Sequence, residues 1–337
     1  MQRRTLALAV SLALSLLFAT AALAQSYSAT NLVSNLTGKA KHADTLLTNP
    51  WGLAYGPNAP FWVSDEASGW STLYNGTGTP QSLKVVIPSA SGTGSGTPTG
   101  IVYNGSTEFQ IDTWTSVFLF ATLDGTISGW STFDPSTALI GVTQKGAVYT
   151  GLAITSHTSG NILFAADAAN NKVDMYNGTF SLVGSFTDST IPSGFAPFGI
   201  QDIAGQVYVT YASGTGAAGG FIDIFTETGT FVKRFAQGKP LNQPWGLAVA
   251  PTGFGPLSGT LLVSNNTATG TINGFNLKTG KFMSALKNSA GKALTISGLW
   301  GIEFGGGTTN NGSKTQLFYT AGPSDTNGYF GVVSFVK

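Results

Sequence analysis

A short element, a turn residue followed by x-Gly and an apolar strand, returns six times along this chain of 337 residues. It reads Pro50-Trp51-Gly52-Leu53-Ala54, Pro98-Thr99-Gly100-Ile101-Val102 and Tyr149-Thr150-Gly151-Leu152-Ala153 in the first half. The second half has Pro197-Phe198-Gly199-Ile200, Pro244-Trp245-Gly246-Leu247-Ala248 and Leu299-Trp300-Gly301-Ile302-Glu303. The glycines stand 48, 51, 48, 47 and 55 residues apart. A period of that size marks repeated units, none of which can bury its own faces alone. Four short strands fit in each period, so the spacing predicts an all-β chain folded as a six-bladed β-propeller.

The units can be read strand by strand. Unit one (residues 49–86) predicts strands at 51–55, 61–64, 71–74 and 83–87, and unit three at 152–154, 162–165, 172–176 and 181–186. Asn75-Gly76 and Asn177-Gly178 mark tight turns, because both residue types tolerate positive φ. Unit four has strands at 206–210, 221–225 and 231–235; unit five has them at 260–264, 271–275 and 281–286. Trp62, Phe120, Trp130, Tyr176, Phe225 and Phe275 begin or end such strands and are expected to pack between neighbouring blades. The Gly/Ser/Thr-rich stretches 89–97 and 213–220 read as surface loops.

Unit six supplies only 300–304, 316–320 and 331–336 before the chain stops. Residues 27–36, in turn, have no partner inside unit one. They are expected to complete the last blade and close the ring, which removes a free sheet edge. The alternative is an unpaired N-terminal segment.

Residues 1–24 read as an export signal: Arg3 and Arg4, an apolar run from 6 to 19, then Ala22-Leu23-Ala24. A membrane anchor is the alternative, but the apolar part is short for a hydrocarbon core of ~30 Å. The expectation is one exported domain over 25–337, periplasmic or secreted, with no membrane insertion after signal cleavage. Without Arg3 and Arg4 the 16 basic residues fall to 14 against 15 acidic ones. Net neutrality with no basic cluster argues against nucleic acid or anionic lipid as partner. Cysteine is absent, so the core must hold the fold without disulfides.

The run Asp167-Ala168-Ala169-Asn170-Asn171-Lys172-Val173 resembles the hairpin signature of NHL-repeat propellers. Taken whole, the mature chain is similar to an uncharacterised bacterial family of exported six-bladed β-propeller proteins. The likeness is carried by Asn31-Leu32-Val33-Ser34, Asn49-Pro50-Trp51-Gly52-Leu53-Ala54, Trp62-Val63-Ser64-Asp65 and Gln243-Pro244-Trp245-Gly246-Leu247-Ala248. It implies fold and export, and brings no activity. A more distant resemblance links the blades to gluconolactonase and paraoxonase propellers, which hold calcium in the channel; their ligands have no residue-by-residue match here.

In a propeller the loop into the innermost strand and the loop between strands two and three open on one face. His42, Asp44, Asn49, Asp65, Glu66, Asp167, Asn170, Gln243, Asn265 and Asn266 are therefore the candidate ligand-binding residues of that channel face. Asp65, Asp167 and Asn265 hold equivalent places in three blades, and converging oxygens suit a hard cation such as calcium. The competing reading is that each caps its own hairpin loop. His42 could pair with Asp44 as a base or stand as a solvated loop residue; His157 falls in a turn on the opposite face. Two histidines cannot build a multi-histidine zinc site. Asp124 reads as part of a two-residue Asp-Gly hairpin turn. The GxGxxG match at 214–219 leads into a strand, not a helix, so it marks no dinucleotide site. Ser95 lacks the strand-turn-helix elbow of a nucleophile. Trp51, Trp245 and Trp300 are expected to wedge between blades, with stacking on a flat ligand at the channel mouth as the alternative.

The functional expectation is a non-catalytic module, monomeric, binding a small molecule or an extracellular protein or glycan at that face. The alternative is a lactonase- or esterase-like hydrolase, or a lyase, using a channel cation to polarise a carbonyl.

Overall fold

The computed structural model describes residues 25–337, so the expected export signal lies outside the described residues. Six four-stranded antiparallel blades stand in a ring, the order of strands within each running from the axis outward. Blade one comprises Pro50–Ala54, Phe61–Asp65, Trp70–Tyr74 and Pro80–Val86. In blade four the strands lengthen to Phe195–Ile203, Gln206–Ser213, Phe221–Thr226 and Phe231–Gln237. Two single turns of 3-10 helix, Gly255–Leu257 and Pro323–Asp325, are the helical content among the described residues.

Blade six is built from both ends of the chain. Leu299–Phe304, Leu317–Ala321 and Tyr329–Val336 are its first three strands, and Ser26–Ser34 is the fourth. The N-terminal strand runs antiparallel to the C-terminal one from Ser26 opposite Val336 to Ser34 opposite Tyr329. His42–Ala43 then adds two parallel residues outside it. The ring is thus fastened as the incomplete sixth unit predicts, and a long sheet edge is paired.

The recurring glycines have one cause. Each lies where its inner strand meets the next one, and a side chain there would strike backbone. A Cβ on Gly52 would come within 2.6 Å of the Thr99 carbonyl oxygen; on Gly151, within 2.8 Å of that of Phe198; on Gly246, within 2.8 Å of that of Trp300. Gly301 faces the Trp51 carbonyl at 2.7 Å and closes the circle. Hydroxyls beside them tie neighbours together: Ser264 Oγ donates to the Trp300 carbonyl at 2.6 Å, and Thr150 Oγ1 to that of Pro197 at 3.2 Å. The apolar cores lie between blades. Trp62 packs with Phe118 and Trp130, Tyr176 with Leu119 and Leu163, Phe225 with Phe164 and Phe186, and Phe275 with Phe235. The aromatic residues singled out by their strand positions are all buried there.

Two details differ from expectation. Leu123, Asp124 and Gly125 form a three-residue loop, since Ala121 pairs with Ile127, and Gly125 takes φ of +80°. Asp124 still serves the turn, accepting from Thr122 Oγ1 and, at 2.7 Å, from the Ala90 N–H. The tryptophans do not wedge between blades; they meet one another at the axis.

Candidate channel site

The channel is closed at one end. Trp51, Trp245 and Trp300, each next to an inner-strand glycine, form a buried cluster of their own with Leu123 and Phe198 packed on it. Trp51 and Trp300 stack with ring centroids 3.7 Å apart, and Trp245 meets both edge-on. Blades one and four stand opposite in a ring of six, so the Trp51–Phe198 contact, 6.1 Å between centroids, crosses the axis. Trp245 Nε1 donates to the Thr150 carbonyl at 3.0 Å and Trp300 Nε1 to Asn49 Oδ1 at 3.2 Å. This aromatic plug sits on the face where the sequence placed the ligand.

The candidates of that face are engaged locally. Asn49 Nδ2 donates to Glu66 Oε2 at 2.7 Å. Asp44 accepts from Tyr74 Oη at 3.2 Å and pairs with Lys84 at 3.4 Å, so its carboxylate turns away from a partnership with His42. His42 is a half-buried member of the added parallel strand. Asp65 is fully buried and accepts from Thr72 Oγ1 at 2.7 Å. Asp167 accepts from the Val148 N–H and from Asn170 Nδ2, capping its hairpin. Gln243 Nε2 donates to the Ser213 carbonyl and Asn266 Nδ2 to that of Leu299. Asn265 accepts from the Asn242 N–H and donates to the Pro240 carbonyl. Asp65, Asp167 and Asn265 are thus each tied into their own blade, and among the described residues no three His, Cys, Asp or Glu side chains come together to hold a metal ion.

The other end of the channel is open. A cavity of about 290 Å³ is lined there by Tyr55, Tyr103, Ser156, Gln201, Asp202 and Glu303 among others. It leads toward a constriction of about 40 Å³ under the plug, where Gln201 and Glu303 again form part of the wall beside the glycines. No lysine or arginine lines either space. Glu303 is the second residue after its inner-strand glycine, a place held by Ala54, Val102, Ala153 and Ala248 in four other blades and by Gln201 in blade four. Enclosure by protein pushes its carboxyl up to about 7, only partly offset by the Phe304 N–H. Tyr55 is raised to about 12 by burial and by the nearby Glu303 charge. Asp202 accepts from the Gly205 N–H at 3.2 Å, while its Oδ2 is buried without a partner. Burial lifts Asp202 to about 6; Glu227 adds to the rise and His157 opposes it. His157 in turn meets Glu227 at 2.9 Å, on the face its turn predicted. These residues escaped the sequence reading, although two polar side chains at an otherwise apolar inner-strand position are a visible signal.

The fold and the site define a six-bladed propeller with one open channel mouth. A protein of Acanthamoeba polyphaga mimivirus, "Uncharacterized protein R648", is 30% identical over 314 residues, 86% of this chain and 75% of that protein. The chain belongs to the same family. No protein-family model matches it. Among solved structures, a streptogramin B lyase shares the fold with a TM-score of 0.56 at 13% identity, covering 93% of this chain and 98% of that one. A gluconolactonase from Xanthomonas campestris does so with 0.56 at 14%, covering 86% and 89%. At such identities the likeness is one of fold.

Proposed function

We propose that this protein is a non-catalytic binding module that takes a small organic cation, such as a protonated amine, at the open channel mouth. The observation that carries the reading is the cavity of about 290 Å³ holding Asp202 and Glu303 with no basic residue in its wall. Two carboxyl groups without a fixed cation favour a ligand that brings its own positive charge. Tyr55 and Tyr103 add ring surface against which such a cation or its alkyl chain packs. The plug at the far end makes the channel a blind pocket, suited to a ligand that enters and leaves by one route. We also propose that the protein is a monomer and that residues 1–24 direct its export.

Titration calorimetry with ethanolamine, putrescine and choline, against glycerol and acetate as controls, tests this. Saturable binding of an amine that is clearly weakened in Glu303→Gln, with Asp202 holding what remains, and unchanged in His42→Ala is the expected result. Binding of acetate but no amine, or amine binding indifferent to Glu303→Gln, overturns it.

A second reading is favoured by one feature, the Glu303 carboxyl raised to about 7, which suits a general base at neutral pH. The streptogramin B lyase and the gluconolactonase share the fold, and they support a hydrolase or lyase only by analogy. Turnover of a lactone or ester that disappears in Glu303→Gln would favour this reading over simple binding.

A further inference from the structure

The near-neutral total hides an uneven distribution of charge. Between Glu227 and Glu303 the sequence contains no Asp or Glu, yet it carries Lys233, Arg234, Lys239, Lys278, Lys281, Lys287 and Lys292. This stretch is the outer strand of blade four together with blade five. Arg234 is used internally, paired with Asp188 at 2.6 Å and with Asp223. The six lysines are exposed, and among the described residues none of them joins an ion pair.

Apolar side chains stand beside three of them, Lys233, Lys278 and Lys281, which lie at the opening ends of the outer strands. Leu182-Val183, Phe231-Val232 and Phe282-Met283 open the outer strands of blades three, four and five, and all six are exposed, Met283 by 52% and Phe231 by 46%. The register makes them equivalent: Leu182 lies opposite Tyr176, Phe231 opposite Phe225, and Phe282 opposite Phe275. They therefore share one level, at the end of the sheets where the channel is open. Blades four and five are continuous across the patch, because Lys233 Nζ donates to the Lys278 carbonyl at 3.1 Å. Soluble proteins seldom leave so many large apolar side chains together in water without a use for them.

We propose that this rim docks the protein on an anionic lipid surface. Phe231, Phe282 and Met283 enter the boundary between headgroups and acyl chains. Lys233, Lys278 and Lys281 lie among the phosphates and carboxylates, their alkyl stems against the apolar layer. An acidic protein segment adding to an outer edge would pair with one blade. Three consecutive blades presenting the same apolar pair at one level, two of them with lysines beside it, call for a broad, flat and negatively charged partner. Such docking is peripheral and adds no membrane span.

Cosedimentation of residues 25–337 with phosphatidylcholine vesicles, with and without phosphatidylserine, tests the proposal. Binding to the anionic vesicles alone, weakening with salt, is expected. Lys233→Gln/Lys278→Gln/Lys281→Gln should weaken partitioning on the order of a hundredfold. Phe231→Ser/Phe282→Ser should also release the protein, at low salt included, with circular dichroism unchanged in both variants. No binding to phosphatidylserine vesicles, or equal binding by the folded triple variant, overturns the proposal. So does capture by a poly-glutamate matrix without vesicle binding, which would assign the patch to an acidic protein. Lys84→Gln, in blade one, is the control and should bind as the parent does.

Discussion

Trp51 and Trp300 stack at 3.7 Å across the junction where the first blade meets the last. The contact has two consequences. It joins the inner strands at the place where the chain has to close on itself, and with Trp245 and Phe198 it shuts one end of the channel. The pairing of Ser26–Ser34 with Tyr329–Val336 fastens the same junction at the periphery. Closure is therefore made twice, by aromatic packing inside and by a strand ladder outside.

Trp300→Ala should cost about 3–5 kcal/mol of stability, the range for truncating a large buried aromatic side chain. It also leaves Asn49 Oδ1 without its donor. Equilibrium denaturation in urea gives the number. Trp114→Ala, at an exposed rim position, should stay within about 0.5 kcal/mol.

Placing a methyl group in the glycine ring should be worse than its size suggests. A Cβ on Gly199 would collide with the Trp245 carbonyl, and backbone on both sides leaves it no room to move. Gly199→Ala should lose roughly 3 kcal/mol or more through forced displacement of the neighbouring blade. Gly214→Ala is the comparison, because nothing lies within 4 Å of a Cβ there and its φ is not positive. A thermal shift equal in the two variants would contradict the packing account.

How much of this was legible beforehand follows from what each signal depends on. The glycine period, the strand alternation and the missing sixth outer strand are set by backbone packing, which repeats in every unit, so they show plainly in one sequence. Residues such as Asp65 and Asp167 also showed as equivalent, but equivalence does not say whether an oxygen turns to the axis or to its own loop. Val148 and Thr72, which engage those carboxylates, are ordinary in the sequence. The plug does not show in the sequence because a tryptophan beside the glycine can point between blades or to the axis, and only the meeting of three of them at the axis decides. Glu303 and Gln201 could have been found by aligning the units and asking where a polar residue replaces alanine or valine.

Asp65 gives a prediction for stability against pH. Its carboxyl is fully buried, and burial, reinforced by the Asp44 charge, raises it well above the ordinary carboxylate value despite the bond from Thr72. The unfolded chain therefore loses this proton first. Between the unfolded and the folded titration the native state holds the proton that the unfolded state lacks, so stability falls as pH rises through that window and then levels. Asp65→Asn removes the titration. Asn265 holds the equivalent place in blade five and donates to the Pro240 carbonyl, whose counterpart is that of Leu46, six residues before Gly52. The variant should raise the melting temperature at neutral pH, by an amount corresponding to roughly 1–3 kcal/mol. The gain should shrink on acidification toward the ordinary aspartate range, and a gain independent of pH would count against it.

Glu303 gives the corresponding prediction for binding. With its carboxyl at about 7 and that of Asp202 at about 6, both are raised by burial, and a cationic ligand must compete with protons for them. The sign is opposite to that of a stability gain on acidification: lowering pH neutralises the pocket, so amine affinity should fall as pH drops below about 7. The limiting slope is about tenfold per pH unit for one linked proton. At pH 6, binding should release protons, seen as a calorimetric enthalpy that changes between buffers of different ionisation heat. Glu303→Gln should remove the part of the profile centred near 7 and leave the part contributed by Asp202. A ligand whose affinity rises on acidification would instead require a protonated, hydrogen-bond-donating Glu303, and would exclude the cationic class proposed for this mouth.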